Sequence, residues 1–240
     1  MSDCILCNYK IKDVSTNKRK AFIVGNSKYE HSKGLIEINS CVYDVYQCSK
    51  VLKSLGFEIT ILLNKNLEHM EKEIDKFINN LEKDDISLFF YSGHGVKIGG
   101  KNFLALSNTD IKNLENTTFC IDKYLNKLHE SKTSIDLVFL DCCRNELKSH
   151  YNNFKERIHL RAKKNMFIGF STSDDETSET GDDDEMSIFT KHFLDVILYK
   201  NVGIDEIMKY VRMKVIEETE GEQIPWSASC LTVNFYFNIQ

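Results

Sequence analysis

Two short polar signatures follow apolar runs of the kind that form buried strands. Ser92-Gly93-His94-Gly95 comes after the run at 86–91, and Asp141-Cys142-Cys143 comes after the run at 135–140. An imidazole titrates near neutral pH and can take a proton from a thiol, and the thiolate that results is a strong nucleophile. The same imidazole can later protonate a leaving amine. The two signatures therefore predict acyl transfer by a thiol and imidazole pair.

The surroundings of His94 favour this chemistry. A flanking glycine lets a substrate approach closely, and the N–H of Gly95 can point at a developing oxyanion. Reactive groups in open α/β sheets gather at the carboxyl ends of the strands, where both signatures lie. Taken singly, a histidine such as His94 is more often an ordinary strand-end residue, and a cysteine there is more often an inert buried thiol. Their joint position favours the catalytic interpretation.

The rest of the chain alternates strand patterns with helix patterns. The strand patterns lie at 20–25, 58–63, 86–91, 135–140, 166–170 and 231–239, and the helical spacings at 40–55, 67–81, 121–129, 188–196 and 204–215. Runs buried on both faces and separated by helices are typical of a parallel sheet covered on both sides. The last run alternates as an antiparallel strand does. We expect an α/β fold with a mainly parallel six-stranded sheet, and 231–239 at its edge.

Composition excludes several classes of protein. The net charge is −5 and the basic residues are scattered, which is not the pattern of a nucleic-acid binder. No segment approaches the roughly 20 apolar residues of a membrane span, and no signal peptide is recognisable. The eight cysteines are spread along the chain as reduced thiols would be, and Cys4 and Cys7 form a lone CxxC that is weak evidence for zinc. We expect a cytoplasmic protein without a metal or other cofactor.

Two segments stand out by charge. Residues 155–164 are basic, and residues 174–185 carry eight acids in twelve positions. Neither can build a core, so both are expected to be exposed. We interpret 1–17 as an N-terminal extension whose lack of periodicity is compatible with disorder, and 18–240 as one domain.

The two signatures also carry a family resemblance. Phe90-Tyr91-Ser92-Gly93-His94-Gly95 and Phe139-Leu140-Asp141-Cys142-Cys143-Arg144 resemble the histidine and cysteine motifs of the caspase-like peptidases, and those of the paracaspases in particular. The 49 positions from the histidine to the second cysteine are close to the roughly 50 that separate the pair in caspases. Residues 21–29, 44–46 and 167–172 extend the similarity, which runs from about residue 20 to at least 198. The resemblance implies a caspase-like sandwich and a cysteine endopeptidase.

Roles follow from the matched positions. Cys143 takes the place of the family's nucleophile and His94 that of its base, and Cys142 remains the rival nucleophile. The backbone N–H groups of Cys143 and Gly95 would form the oxyanion hole. The reaction would pass through a thioester acyl-enzyme.

The resemblance also implies a specificity. Asp141 stands where caspases carry a glutamine, and an acid there attracts arginine or lysine. Asp44 falls at the paracaspase position for a second pocket acid, although a solvated helix acid is the alternative. The third acid would come from the loop after Ser173, as Glu176 or Glu179. The planar fork of arginine suits converging carboxylates, so cleavage after Arg is expected over Lys.

Several alternatives stay open. Metacaspases share the histidine motif and often need calcium, which the acidic run at 182–185 could be argued to bind. That run lacks the ligand spacing of an EF-hand, and Arg144-Asn145-Glu146 departs from the metacaspase pattern. A catalytically silent caspase-like module and a separase-like or legumain-like peptidase are the other candidates. The expected partners are protein or peptide substrates, and a second copy bound through the C-terminal edge strand.

Overall fold

The structure is a computed structural model that describes residue 14 and residues 16–29, 35–98, 101–131, 133–142, 160–172 and 185–239. The strands are β1 (Arg19–Gly25), β2 (Phe57–Leu63), β3 (Ile86–Ser92), β4 (Gly95–Ile98), β5 (Lys101–Leu104), β6 (Phe119–Cys120), β7 (Ile135–Asp141), β8 (Met166–Phe170) and β9 (Trp226–Ser229). The helices are α1 (Ser40–Ser54), α2 (Leu67–Asn79), α3 (Leu114–Thr117), α4 (Ile121–Glu130), α5 (Ile188–Val196) and α6 (Ile204–Glu218), with a 3₁₀ turn at Ile111–Asn113.

Six strands form the main sheet in the order β2-β1-β3-β7-β8-β9. All neighbours are parallel except β8 and β9, which are antiparallel. The register sets Gly25 beside Ser92 and Ser92 beside Asp141, so β1, β3 and β7 end side by side. The predicted α/β fold with a mainly parallel six-stranded sheet is confirmed.

Each face of the sheet is covered by its own helices. One apolar cluster joins the sheet to α1, α5 and α6, and includes Phe90 and Phe139. The other joins it to α2 and α4, and includes Phe89 and Leu140. Successive strand residues point to opposite faces, which is why β3 and β7 are buried at every position and read as continuous apolar runs. The buried sheet therefore positions the residues that follow its strand ends.

A small second sheet lies next to the main sheet. It has the order β4-β5-β6, with Gly95 opposite Leu104 and Lys97 opposite Asn102. Val96, Phe103 and Cys120 form its own apolar cluster. The sequence did not predict these strands because they are two to four residues long, too short for a periodic signal. The sheet begins directly after His94, so it borders the histidine signature.

The predicted strand at 231–239 is wrong. The described residues there make only isolated bridges, Lys200 with Asn238 and Gly203 with Tyr236. Phe237 is 1% exposed and packs on Phe193 at a ring-centroid distance of 5.8 Å. The alternation thus reflects aromatic side chains filling a core cluster rather than a pleated ladder. The edge strand is β9.

Arg19 holds this C-terminal segment in place. Its guanidinium donates to the carbonyl oxygens of Phe237 at 2.5 Å and Tyr236 at 3.2 Å, and to that of Leu55 at 3.3 Å. It also lies 5.6 Å from the ring centroid of Phe235. Backbone carbonyls that a strand would use for pairing are therefore taken by a side chain.

Two helix ends show the usual capping interactions. Gly56 has φ +83°, the left-handed conformation of a glycine just beyond a helix, and α1 ends two residues before it. Asn66 caps α2, since its side chain accepts the N–H of His69 at 3.0 Å. In the part of the chain that the structure describes, no helix combines the length and apolar character that crossing a membrane requires.

Candidate active site

The two sequence signatures meet at the carboxyl edge of the sheet. The N–H of Gly93 donates to the carbonyl of Asp141 at 3.2 Å, and the N–H of Asn26 donates to the carbonyl of Ser92 at 3.0 Å. His94 follows β3 by two residues and Cys142 follows β7 directly. Backbone hydrogen bonds thus join the ends of β1, β3 and β7.

Three predicted site residues fall outside the described residues. They are Cys143, Glu176 and Glu179. The nucleophile and the third pocket acid therefore stay predictions. Residues 182–184 of the acidic run also lie outside, and within the described ranges no three His, Cys, Asp or Glu side chains converge as a metal site would require.

One nitrogen of the His94 ring is already engaged. Nε2 lies 2.9 Å from the carbonyl oxygen of Ile36. A carbonyl can only accept, so Nε2 carries the proton and the neutral ring keeps its lone pair on Nδ1. Burial lowers the pKa of His94, and the hydrogen bond to Ile36 only partly opposes this. The ring is therefore neutral near physiological pH, with Nδ1 able to accept a proton.

Two tyrosines fix the backbone of His94. Its N–H donates to Tyr29 Oη at 3.0 Å, and Tyr29 Oη in turn donates to the carbonyl of Asn26 at 2.6 Å. Tyr91 Oη lies 2.9 Å from the carbonyl oxygen of His94 and 2.7 Å from that of Ala105, and donates to them. The Tyr29 ring also packs on the imidazole, with centroids 5.0 Å apart. Both polar backbone groups of His94 are consequently anchored.

Gly93 makes this packing possible. A Cβ at this position would lie 2.5 Å from Tyr91 Oη and 3.1 Å from the carbonyl oxygen of Asn26. Atoms cannot approach so closely, so a larger residue would push the tyrosine or the β1 end away. The glycine that the sequence indicated for substrate access has this packing role as well.

The two predicted pocket acids lie at the strand ends, on the face of the sheet that α1 and α5 cover. Asp44 on α1 is fully buried, and Asp141 at the end of β7 is 4% exposed. Asp44 Oδ2 accepts the hydroxyl of Ser92 at 2.8 Å, and Asp44 Oδ1 accepts the N–H of Ser187 at 2.9 Å. The alternative that Asp44 is a solvated helix acid is thereby wrong. Helix α1 turns this acid inward on the same face as Cys41 and Val45.

Ser187 joins the two acids. Its N–H donates to Asp44, and its hydroxyl donates to Asp141 Oδ2 in a short hydrogen bond. Thr190 Oγ1 donates to the same oxygen at 2.7 Å. Sequence reasoning missed both residues, although Ser187 just before an apolar helical run is the usual sign of an N-cap. Ser187 does cap α5, since its hydroxyl also accepts the N–H of Thr190 at 3.2 Å.

Burial and the neighbouring Asp141 change the titration of Asp44. The pKa of Asp44 is raised to about 8, chiefly by burial and next by the charge of Asp141, while the hydrogen bonds from Ser92 and Ser187 oppose the rise. Two carboxylates in one buried site cannot both ionise at low cost. Asp44 therefore keeps its proton to a higher pH than an ordinary aspartate.

Cys142, the rival nucleophile, faces away from the acids. It is 4% exposed and belongs to the apolar cluster on the α2 and α4 face. Its N–H donates to Ser171 Oγ at 3.1 Å. This burial weighs against it as a nucleophile. Cys142 and Gly95 line one small pocket, which sets the predicted oxyanion-hole glycine near the cysteine signature.

The chain is also similar to known proteins. The chain is 26% identical over 157 residues to mucosa-associated lymphoid tissue lymphoma translocation protein 1 of Homo sapiens, and equally to its homolog in Mus musculus, covering 63% of this chain and 18% of each relative. The chain thus spans less than a fifth of their length. The crystal structure of caspase-1 from Spodoptera frugiperda superposes with a TM-score of 0.71 at 20% identity, over 93% of this chain and 91% of the other.

The structural likeness, at this identity, shows the fold, and the predicted caspase-like sandwich is confirmed by it. The resemblance to the caspase-like peptidases and paracaspases is confirmed as well. The family described as "Caspase domain" matches residues 18–236. The chain therefore belongs to the caspase-domain family of cysteine peptidases.

Proposed function

We propose that this protein is a cysteine endopeptidase that cuts its substrates after a basic residue, with Cys143 as nucleophile and His94 as base. The observation that carries the proposal is the buried carboxylate pair Asp44 and Asp141, at the same edge of the sheet as a histidine whose Nδ1 can accept a proton. A buried acid pair costs stability, and a binding site for a cation is a physical reason to keep one.

The reaction uses the lone pair on His94 Nδ1. This atom takes the thiol proton of Cys143, and the thiolate attacks the scissile carbonyl carbon. The N–H groups of Gly95 and Cys143 stabilise the oxyanion that forms. The C–N bond then breaks, His94 gives its proton to the leaving amine, and a thioester remains. Water, deprotonated by the same imidazole, hydrolyses the thioester and restores the thiol.

The acid pair would select the residue before the cut. A guanidinium between Asp44 and Asp141 makes charge-assisted hydrogen bonds to both and displaces the proton held on Asp44. Arginine offers two parallel N–H groups, whereas lysine is a point charge, so arginine is preferred. Glu176 or Glu179 is proposed as a third acid of this pocket.

Access of a substrate cation to Asp44 and Asp141 would depend on Ser187. Its N–H and hydroxyl occupy one oxygen of each carboxylate, and both carboxylates are shielded from solvent. A substrate cation therefore has to replace these hydrogen bonds, which requires a small movement at the start of α5. Neutral donors give way to a guanidinium because it brings a full positive charge and two parallel N–H groups to the carboxylates.

The test is cleavage of internally quenched peptides that differ only in Arg, Lys or Asp before the cut, first in EDTA and then with calcium. Cleavage in EDTA with Arg above Lys and no cleavage after Asp is expected. Cys143→Ala should abolish it, and Asp141→Asn should reduce Arg cleavage selectively. Asp195→Asn, an exposed acid on α5, is the matched control and should behave as wild type.

Other outcomes would point elsewhere. Activity that requires calcium would indicate the metacaspase type. Absence of cleavage by well-folded protein, with every peptide, would indicate a silent caspase-like module.

We further propose that two copies associate through β9. This strand pairs with β8 on one side and, among the described residues, has no strand on the other. An edge of this kind is a template for a second chain. Sedimentation of wild type beside a Ser229→Pro variant tests the dimer, which this proline should weaken because the N–H of Ser229 points away from β8.

Cys41, Cys48, Cys120 and Cys230 form no disulfides, which supports a reducing compartment, and we propose the cytoplasm.

A further inference from the structure

The main sheet ends on its other side at β2, the strand farthest from β9. β2 pairs with β1 along all seven of its residues and, in the part of the chain that the structure describes, with no further strand. Edge strands are usually protected against pairing with other chains by lysines, a proline or a bulge. β2 has the sequence FEITILL, in which Glu58 is the one charged residue. Its outer edge is therefore open to another strand.

The open edge presents the backbone of apolar residues. The N–H of Asn64 donates to the carbonyl of Gly25 on β1 at 2.9 Å. The N–H and C=O groups of successive strand residues point to opposite edges, so those of Ile59, Ile61 and Leu63 point away from β1. Within the described ranges no hydrogen bond reaches these outward groups. They form a row of donors and acceptors that a further strand would satisfy.

An apolar side chain in the middle of this edge is exposed to solvent. Ile61 is 46% exposed, although it belongs to a strand of the main sheet. Side chains alternate between the two faces, so Ile61 lies on the same face as Ile59 and Leu63, which pack against the apolar cluster under α1, α5 and α6. Ile61 is thus an extension of this cluster that a single copy leaves partly uncovered.

The exposed apolar surface continues from β2 onto α1. A Cβ at Gly25 would lie 2.6 Å from Val45 on α1 and 3.2 Å from Leu63 on β2, so the side of α1 that carries Val45 lies over the end of β2. Val42 is one helical turn before Val45, and Tyr46 directly follows it. They are 38% and 61% exposed. Contiguous exposed apolar surface of this kind marks an interaction site.

A second copy of β2 fits this edge. An antiparallel pair with Ile61 on the two-fold axis sets Ile59 opposite Leu63, so the hydrogen-bonded pairs of the new ladder are all apolar. The charged Glu58 then falls opposite Asn64 rather than opposite a second carboxylate. The axis is perpendicular to the sheet, so the α1 helices of both copies lie on one face and can pack side by side. The edge is therefore complementary to itself in shape, polarity and charge.

We infer that β2 is a homotypic interface through which two copies of this chain join their sheets in antiparallel fashion. The inference depends neither on the peptidase reaction nor on the pairing proposed for β9. The two edges lie at opposite ends of one sheet, so the same chain can use both. A two-fold contact at each end produces a linear array of copies rather than a closed dimer.

Sedimentation velocity of the full chain over a range of concentrations tests the interface. Ser229→Pro weakens pairing at β9, so dimers that persist in this variant are expected to be joined through β2. Adding Ile61→Lys places two ammonium groups opposite each other on the axis, and the dissociation constant of these dimers should rise at least about tenfold. Circular dichroism should show that both variants stay folded, because Ile61 is partly exposed.

Leu198→Lys is the matched control. Leu198 follows α5, is 44% exposed, and its substitution changes the net charge by the same amount as Ile61→Lys. In the Ser229→Pro background it should leave the dimers intact. Dimers that Ile61→Lys does not weaken would overturn the inference. Monomers at every concentration in Ser229→Pro would overturn it as well, and would leave the edge to another segment or another protein.

A cross-link tests the register without altering β9. The Cα atoms of a hydrogen-bonded antiparallel pair are about 5.5 Å apart, which a disulfide can span. Mild oxidation of an Ile61→Cys variant should therefore join two copies through position 61, as mass spectrometry of the linked peptides would show. Lys123→Cys, at an exposed position on α4, should form no such link. Dimers of Ile61→Cys that are not linked through this position would contradict the proposed register and the interface with it.

Discussion

The Nε2 atom of His94 lies 2.9 Å from the carbonyl oxygen of Ile36. This contact fixes the tautomer, because a carbonyl cannot donate, and it leaves Nδ1 as the basic atom. Ile36 itself is 75% exposed, so the acceptor belongs to a surface segment rather than to the rigid sheet. The orientation of the His94 ring therefore depends on the segment around Ile36. This segment has no helical or strand periodicity, so the sequence alone could not predict the contact.

The first prediction concerns pH. Burial lowers the pKa of His94, so the base stays unprotonated to a lower pH than an ordinary histidine. The value of kcat for an Arg peptide should fall only as pH drops below about 6.5, the ordinary value. His94→Ala should lose at least about 10³-fold. A pH-rate profile checks this, and an acid limb above the ordinary value would contradict it.

The second prediction concerns Tyr29. Its Oη accepts the N–H of His94 and donates to the carbonyl of Asn26, so Tyr29→Phe leaves both without a partner. We expect a loss of stability of about 1–3 kcal/mol. We also expect kcat to fall about tenfold to a hundredfold with little change in KM, because the imidazole is displaced while the acid pair is untouched.

Denaturant unfolding and steady-state kinetics measure the two effects. Tyr199→Phe, an exposed tyrosine, is the control and should show neither. A KM effect without a kcat effect in Tyr29→Phe would mean that this tyrosine contacts substrate instead of positioning the base.

The sequence predicts the strands from their apolar runs, and the location of the site from the polar residues at the strand ends. The runs ending at Tyr91 and Leu140 gave the parallel strands, and the polar residues after them gave the edge where His94 and Asp141 meet. Ser187 and Tyr29 could not be assigned in this way, because their roles depend on long-range contacts with Asp44 and His94. Such contacts are set by tertiary packing and leave no local pattern.

The third prediction tests the corrected C-terminal segment. Phe237 is 1% exposed and contacts Phe57, Phe139 and Phe193 through its ring. Phe237→Ala should therefore cost about 3–5 kcal/mol in the free energy of unfolding. Ile239→Ala, at a 43% exposed position, should change it by less than about 0.5 kcal/mol. Equal effects in urea melts would restore the exposed-strand interpretation.

The fourth prediction concerns stability against pH. The pKa of Asp44 is raised to about 8 in the folded protein, above an unfolded value near 3.8, so the folded state holds its proton more tightly. The stability gained from that proton is complete below the unfolded value and is lost as pH rises through about 8. Asp44→Asn cannot lose a proton, so it should gain stability relative to wild type as pH rises from 5 to 9.

Unfolding midpoints at several pH values measure this difference. The exposed Asp195→Asn variant should parallel the wild type throughout. A constant gap between Asp44→Asn and wild type would show that Asp44 titrates normally.

The fifth prediction links the same proton to substrate choice. A guanidinium binds best when both Asp44 and Asp141 are ionised, so it must displace the proton that burial and the charge of Asp141 keep on Asp44. The KM for an Arg peptide should therefore decrease as pH rises toward 8, whereas kcat, which depends on His94, should already be constant. In Asp44→Asn the KM should be higher and independent of pH over this range. Because the base titrates below neutrality and the acid pair above it, the two groups can be separated in one profile, and a pH-independent KM in wild type would exclude Asp44 from the substrate pocket.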